Sequence, residues 1–336
     1  MGERETTITK RIRKEIRKVA SSHSAGYLVQ MPKHFLTDLD LSTREQEAII
    51  DTAIDLKANP QRYRKHLEGK ALGMIFAKSS TRTRISFEVG MFQLGGTAIF
   101  LPTSSSQVGR GESPADTARV LSRYLDGVMI RTFEHEEIRS LANASSIPVI
   151  NGLDDDYHPC QILADLQTIK ERFGTIAGRQ LVYVGDGNNM AHSLMLGGAL
   201  AGLHVRIVSP VDYQPKPTLV ERARLVGETS GAVIEVTDNL GAVEGADVVY
   251  TDVWTSMGQE AEEAARLEAF DGYIVDEAMM KRTAKGAIFL HCLPAHRGEE
   301  VSDAVLEGEQ SLVFEQAENR LHAQKALMIS LMGATG

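Results

Sequence analysis

Beyond residue 69 short apolar runs alternate with stretches whose apolar residues recur at helical spacing. Residues 71–77, 97–101, 128–131 and 148–150 read as strands. Residues 84–94, 113–125, 134–144 and 159–173 read as the helices between and after them. A second series follows, with strands predicted at 180–184, 205–208, 233–236, 248–251 and 287–291, and helices at 191–201 and 219–229. Residues 42–56 form an earlier helix, for which Thr43 and Gln46 suggest a capping box. Alternation of this kind builds parallel sheets covered by helices on both faces. The expected fold is therefore α/β, with two doubly wound parallel-sheet domains and an active site in the cleft between them. The expected boundaries are an arm at 1–31, a first domain at 32–173 and a second at 174–315, with 174–178 as the hinge. The last helix, from 316 on, has a charged start and is expected to return to the first domain.

Composition narrows the class. A chain of 336 residues exceeds what one hydrophobic core usually serves. A net charge of -9 argues against nucleic acid as a partner, while leaving room for a locally basic cleft. Two cysteines, Cys160 and Cys292, make no disulfide framework and suit a reducing cytoplasm. No apolar run reaches the roughly 18 residues of a membrane span, and no signal-peptide core is seen, so no membrane association is expected. The first 20 residues differ, with seven Lys/Arg against three Glu. Ile8, Ile12, Ile16 and Val19 make residues 7–21 a basic amphipathic helix, read as an arm that packs on the body or on a neighbour. The alternative is a transit peptide to the mitochondrial matrix, against which Glu3, Glu5 and Glu15 stand.

In open α/β sheets, ligands bind beyond the carboxyl ends of the strands, and the polar clusters fall there. Ser79-Ser80-Thr81-Arg82-Thr83-Arg84 follows the first strand and opens a helix. Free backbone N–H groups, the hydroxyls of Ser80, Thr81 and Thr83 and the Arg82 guanidinium make it an anion site, in preference to a plain N-cap with surface arginines. Gln107 lies just past the second strand, Arg131 ends the third, and His158-Pro159-Cys160-Gln161 follows the fourth. Arg131 and His158 could polarise a carbonyl oxygen, although His158 alone reads more readily as a capping or core histidine. Gln161, one turn on, could contact the same ligand. Asp252 suits an ammonium group or a helix cap. Cys292 could be a nucleophile, a ligand contact or a buried strand residue. Gly185-Asp186-Gly187-Asn188-Asn189-Met190 begins like a dinucleotide fingerprint, but Met190 stands where the third glycine belongs. A nicotinamide enzyme and a non-catalytic phosphate-binding protein are thus the rival classes.

Taken together and in order, these clusters resemble the aspartate/ornithine carbamoyltransferase family over nearly the whole chain after residue 32. Ser80-Thr81-Arg82-Thr83-Arg84, Phe87-Glu88 and His158-Pro159-Cys160-Gln161 carry the shared likeness. Asp252-Val253-Trp254-Thr255-Ser256-Met257-Gly258 and His291-Cys292-Leu293-Pro294 resemble its ornithine branch. The resemblance implies transfer of a carbamoyl group from carbamoyl phosphate to the side-chain amine of ornithine, giving citrulline and phosphate in arginine biosynthesis. Putrescine or an acylated ornithine is the alternative acceptor. It implies that Ser80, Thr81, Arg82, Thr83, Arg131, His158, Gln161 and Arg320 hold carbamoyl phosphate, with Gln107 reaching into an adjacent subunit of a homotrimer. Asn189, Asp252, Ser256 and Met257 then contact ornithine, and Cys292 and Leu293 sit between the substrates. Arg131, His158 and Cys292 are the residues expected nearest the chemistry, with no metal or cofactor required.

Overall fold

Strands buried on both faces must be apolar along their length, and that requirement accounts for most of the architecture. The computed structural model describes residues 34–105 and 111–333. The 7–21 arm and Gln107 lie outside them. Strands β1 (Ala71–Phe76), β2 (Thr97–Pro102), β3 (Gly127–Arg131) and β4 (Val149–Leu153) form one parallel sheet in the order β2-β1-β3-β4. Strands β5 (Gln180–Val184), β6 (His204–Val208), β7 (Ile234–Thr237), β8 (Val248–Thr251) and β9 (Ile288–His291) form a second parallel sheet in the order β7-β6-β5-β8-β9. Each order reverses once, between β1 and β3 and between β5 and β8. Loops leave such a switch point in opposite directions and open a crevice.

Helices α1 (Thr43–Ala58), α2 (Thr81–Gln93), α3 (Pro114–Leu121), α4 (His135–Ala144) and α5 (Pro159–Phe173) belong to the first half of the chain. In the second half are α6 (Asn189–Leu200), α7 (Pro217–Ser230), α8 (Glu263–Ala269) and α9 (Val313–Met332), besides single turns. The capping box of α1 is one residue off the sequence expectation. Ser42 Oγ accepts from the Glu45 N–H at 3.3 Å, and Glu45 Oε2 accepts from the Ser42 N–H at 2.7 Å. Gln46 is instead buried and donates to the Gly197 carbonyl at 3.1 Å. Helix α2 starts three residues before the predicted 84, with Ser80 as N-cap accepting from the Thr83 N–H at 3.2 Å. The Ser-Thr-Arg-Thr run therefore forms its first turn.

The two sheets share one apolar core, because α5 and α6 pack on each other between them. Gly197 permits the approach: a Cβ there would stand 2.6 Å from Ile162 Cγ2. Helix α9, last in sequence, packs against α5, α1 and α2.

Gly187, in the loop after β5, is constrained by the backbone facing it. An added Cβ would meet the Pro215 nitrogen at 2.3 Å and the Tyr213 carbonyl oxygen at 2.6 Å. Gly187→Ala is expected to lower stability by about 1–3 kcal/mol, read from thermal or urea unfolding. An unchanged midpoint would mean that the 213–215 segment moves aside at no cost.

Candidate active site

The strand-end loops of both sheets face each other across a cleft of about 1070 Å³. On the first wall lie Ser80, Thr81, Arg82 and Thr83 at the N-terminus of α2, where unpaired N–H groups and the helix dipole favour an anion. Arg131, the last residue of β3, is 8% exposed, and its Nε is buried with no partner among the described residues. Arg320 reaches the same wall from α9. Its Nη1 donates to Gln161 Oε1 at 2.7 Å and its Nη2 to Thr83 Oγ1 at 3.2 Å.

Among the described residues none of Arg82, Arg131 and Arg320 makes an ion pair, and the electrostatics show the consequence. Burial, then Arg320 and Arg82, push the Arg131 guanidinium down to about 10. Burial also lowers Arg320, despite the opposing influence of nearby Cys160 and Asp165. His158, N-cap of α5, does not cap with its side chain; its backbone N–H donates to Ser193 Oγ at 2.9 Å. Burial and the three arginines hold its imidazole well below 6.5, so it is neutral at neutral pH. Three cations repelling one another across a neutral imidazole leave a demand for negative charge that no ion pair among the described residues meets.

The opposite wall is built on the second switch point. Asn188 caps α6 through Oδ1, which accepts from the N–H groups of Met190 at 2.9 Å and Ala191 at 3.3 Å. That leaves its Nδ2 to donate to Asp252 Oδ2 at 3.1 Å. The other carboxylate oxygen accepts from the Cys292 thiol at 3.0 Å. Burial first, then Asp252, push that thiol well above 9, so it is protonated. Asp252 therefore caps no helix; it faces the cleft in the loop after β8. Asn189 lines the cleft and donates to the Asp154 carbonyl at 2.6 Å, while Ser256, Met257 and Leu293 complete this wall.

Thirteen of the fifteen residues singled out from sequence thus line one cleft. Gln107 is outside the described residues. Gln161 is not on the lining: it is 1% exposed and lies behind the wall, donating to Asp165 Oδ1 at 2.8 Å while accepting from Arg320. Helix α5 is buried almost all round, so its helical spacing from His158 did not fix which way Gln161 points.

Sequence reasoning also missed several lining residues, Lys78 and Arg266 among them. Lys78 is 4% exposed, pairs with Asp155 and lies 4.4 Å from the Phe133 ring centroid. Arg266, on α8, pairs with Asp186 at 3.0 Å and donates to the Trp254 carbonyl at 2.9 Å, which ties the loop after β8 to the loop after β5. Asp252, His291 and Cys292 also present possible metal-ligand atoms within 4.8 Å of one another. The protonated thiol and its bond to Asp252 read as a hydrogen-bonded set.

This geometry agrees with the comparison to known proteins. Residues 33–171 match the carbamoyl-P binding domain of aspartate/ornithine carbamoyltransferases, and residues 177–331 match their Asp/Orn binding domain. The chain belongs to the aspartate/ornithine carbamoyltransferase family. It is 56% identical to an ornithine carbamoyltransferase of Symbiobacterium thermophilum over 89% of this chain and 98% of that one. It is 55% identical to one of Oceanobacillus iheyensis, over 89% and 94% of the two chains. The structure of the ornithine carbamoyltransferase from Pyrococcus furiosus superposes with a TM-score of 0.88 at 47% identity, covering 92% of this chain and all of the other. The dinucleotide reading of Gly185–Asn189 is accordingly set aside. In this family member Asn188 spends its side chain on capping α6 and holding Asp252.

Proposed function

We propose that this protein transfers the carbamoyl group of carbamoyl phosphate to the side-chain amine of L-ornithine, giving L-citrulline and phosphate for arginine biosynthesis. The observation that carries this reading is the opposition, across one cleft, of three arginines with no ion pair among the described residues and a buried aspartate bonded to a protonated thiol. Residues 32–173 with the last helix would bind carbamoyl phosphate, and residues 174–315 ornithine. Ser80, Thr81, Arg82 and the first turn of α2 receive the phosphate, with Arg320 behind them. Thr83, Arg131 and neutral His158 face the carbonyl oxygen. The neutral amine attacks the carbonyl carbon, and the oxyanion that forms is met by these donors. The carbon–oxygen bond to phosphate then breaks, the phosphate leaves with the electron pair, and the proton of the attacking nitrogen passes to the departing phosphate.

Asp252 and Cys292 orient the amine, with Asn189, Ser256 and Met257 around the rest of ornithine and Leu293 between the substrates. Gln161 acts by holding Arg320. A thiol pushed so far up is a hydrogen-bond donor and not a covalent nucleophile. Aligning two bound substrates in this way supplies several kcal/mol of barrier reduction. A cytoplasmic homotrimer, with Gln107 reaching into a neighbouring cleft, is the assembly we favour. The exposed Ile85 and Phe92 on α2 and Ile99 on the edge strand β2 support it.

The test is ureido-product formation from carbamoyl phosphate with ornithine, putrescine, N-acetylornithine and aspartate in parallel. Turnover with ornithine alone is expected. Turnover with another amine would keep the phosphate wall and overturn the reading of the Asp252–Gly258 loop. No turnover with any would leave a binding role.

A further inference from the structure

Leu293 has φ of 59°, the one positive value outside glycine among the described residues. A leucine there is disfavoured by its own Cβ, so neighbouring groups must hold it. His291 does so. Its Nδ1 accepts from the Leu293 N–H at 2.8 Å. An amide can only donate, so Nδ1 is the bare nitrogen, and the neutral ring carries its proton on Nε2. Nε2 donates to Glu300 Oε1 at 3.0 Å, and both side chains are wholly buried. The same oxygen accepts from the His296 N–H at 2.6 Å. One carboxylate oxygen thereby closes the 291–296 turn at both ends, and that turn carries Cys292 and Leu293 into the cleft.

We propose that Glu300 is a positioning residue. By fixing the Nε2–H form of His291 it holds the Leu293 backbone, and so sets where Cys292 and Leu293 meet the substrates. The proposal rests on the carbamoyl-transfer reading above. It separates from a merely structural role through the two carboxylate oxygens, because Oε2 has no partner among the described residues.

Glu300→Gln keeps an acceptor at Oε1 but places an unmet amide N–H₂ at the other position. It is expected to melt at lower temperature yet keep kcat within about 3-fold, since only burial of the amide is penalised. Glu300→Leu removes the acceptor and is expected to lose about 100-fold in kcat. Its KM for carbamoyl phosphate should change by less than about 3-fold, because the phosphate wall belongs to the other sheet. Wild-type kcat per folded molecule in Glu300→Leu would overturn the proposal, as would equal losses in both variants.

Nitrogen-15 spectra of the histidine-labelled wild type and Glu300→Gln provide a readout that needs neither the leucine variant nor activity. A single Nε2–H form of His291 is expected in both, and an Nδ1–H form or a mixture would overturn the proposal. A wild type without carbamoyl transfer would defeat the functional reading, and the form of His291 would still decide whether Glu300 holds this turn.

Discussion

Arg131→Met is expected to lose about 10³-fold in carbamoyl transfer while raising the melting temperature of the ligand-free protein. The two effects have one cause. Arg131 is buried beside two further guanidiniums, and its displacement from 12.5 to about 10 corresponds to roughly 3 kcal/mol against the cation. Methionine fills similar length with no charge to desolvate, so the native state gains from the exchange, as when buried ions elsewhere give way to apolar side chains. The same exchange removes a donor from the carbonyl oxygen and a cation from the anion wall. Added carbamoyl phosphate should therefore stabilise the wild type, through binding linkage, much more than the variant. Scanning calorimetry with and without the ligand, beside a turnover assay, checks all of this. A variant that melts lower without ligand, yet is stabilised by carbamoyl phosphate as much as the wild type, would show that Arg131 serves packing.

Apart from the edge strands β2 and β7, the strands were legible because buried parallel strands have no polar face to blur them. The predicted and observed ends agree within one residue everywhere except at β4. There the predicted strand ends at 150, whereas β4 runs on through Asn151 and Gly152 to Leu153. Asn151 is fully buried, and the carbonyl of Leu36 and the carboxylate of Asp154 accept from its Nδ2 at 2.8 and 2.9 Å. Those partners come from outside the strand, so no local pattern announces them. The phosphate wall was legible for a different reason: hydroxyls and arginines at a strand-to-helix junction have a local meaning.

Arg266 shows the opposite case. Within Glu263–Ala269 it looks like one charge of a solvated helix, and only the fold brings it to Asp186, 80 positions earlier. Burial raises the Asp186 carboxyl to about 6 even against this arginine. Lys78 was missed similarly, since its partners Asp155 and Phe133 arrive from beyond β3 and β4. Many of the residues proposed to touch substrates sit in short runs, whereas Lys78 and Arg266, which brace those runs, find their partners far along the chain.

Asp252→Asn separates the two walls. The amide keeps the shape and one acceptor oxygen for the Cys292 thiol but gives up the charge that an amine-bearing substrate would meet. A fall of about 10³-fold in kcat/KM for ornithine is expected, with carbamoyl phosphate affinity nearly unchanged. The thiol reports the same substitution independently. Burial is the largest cause of its raised pKa and stays in place, while the charge of Asp252, the next cause, is removed and the thiol's hydrogen bond passes to a neutral amide oxygen. The pKa must then fall, more thiolate is present at any given pH, and alkylation of Cys292 should speed up several-fold. Cys160 will not confuse the measurement, because it is 0% exposed and burial pushes it up to about 12. Mass spectrometry of the alkylated protein, paired with the ornithine assay, reads both effects. Unchanged alkylation together with unchanged ornithine kinetics would mean that Asp252 faces neither the thiol nor the acceptor in the working enzyme. Faster alkylation with intact kinetics would keep the pair as drawn and move the amine contact elsewhere on that wall.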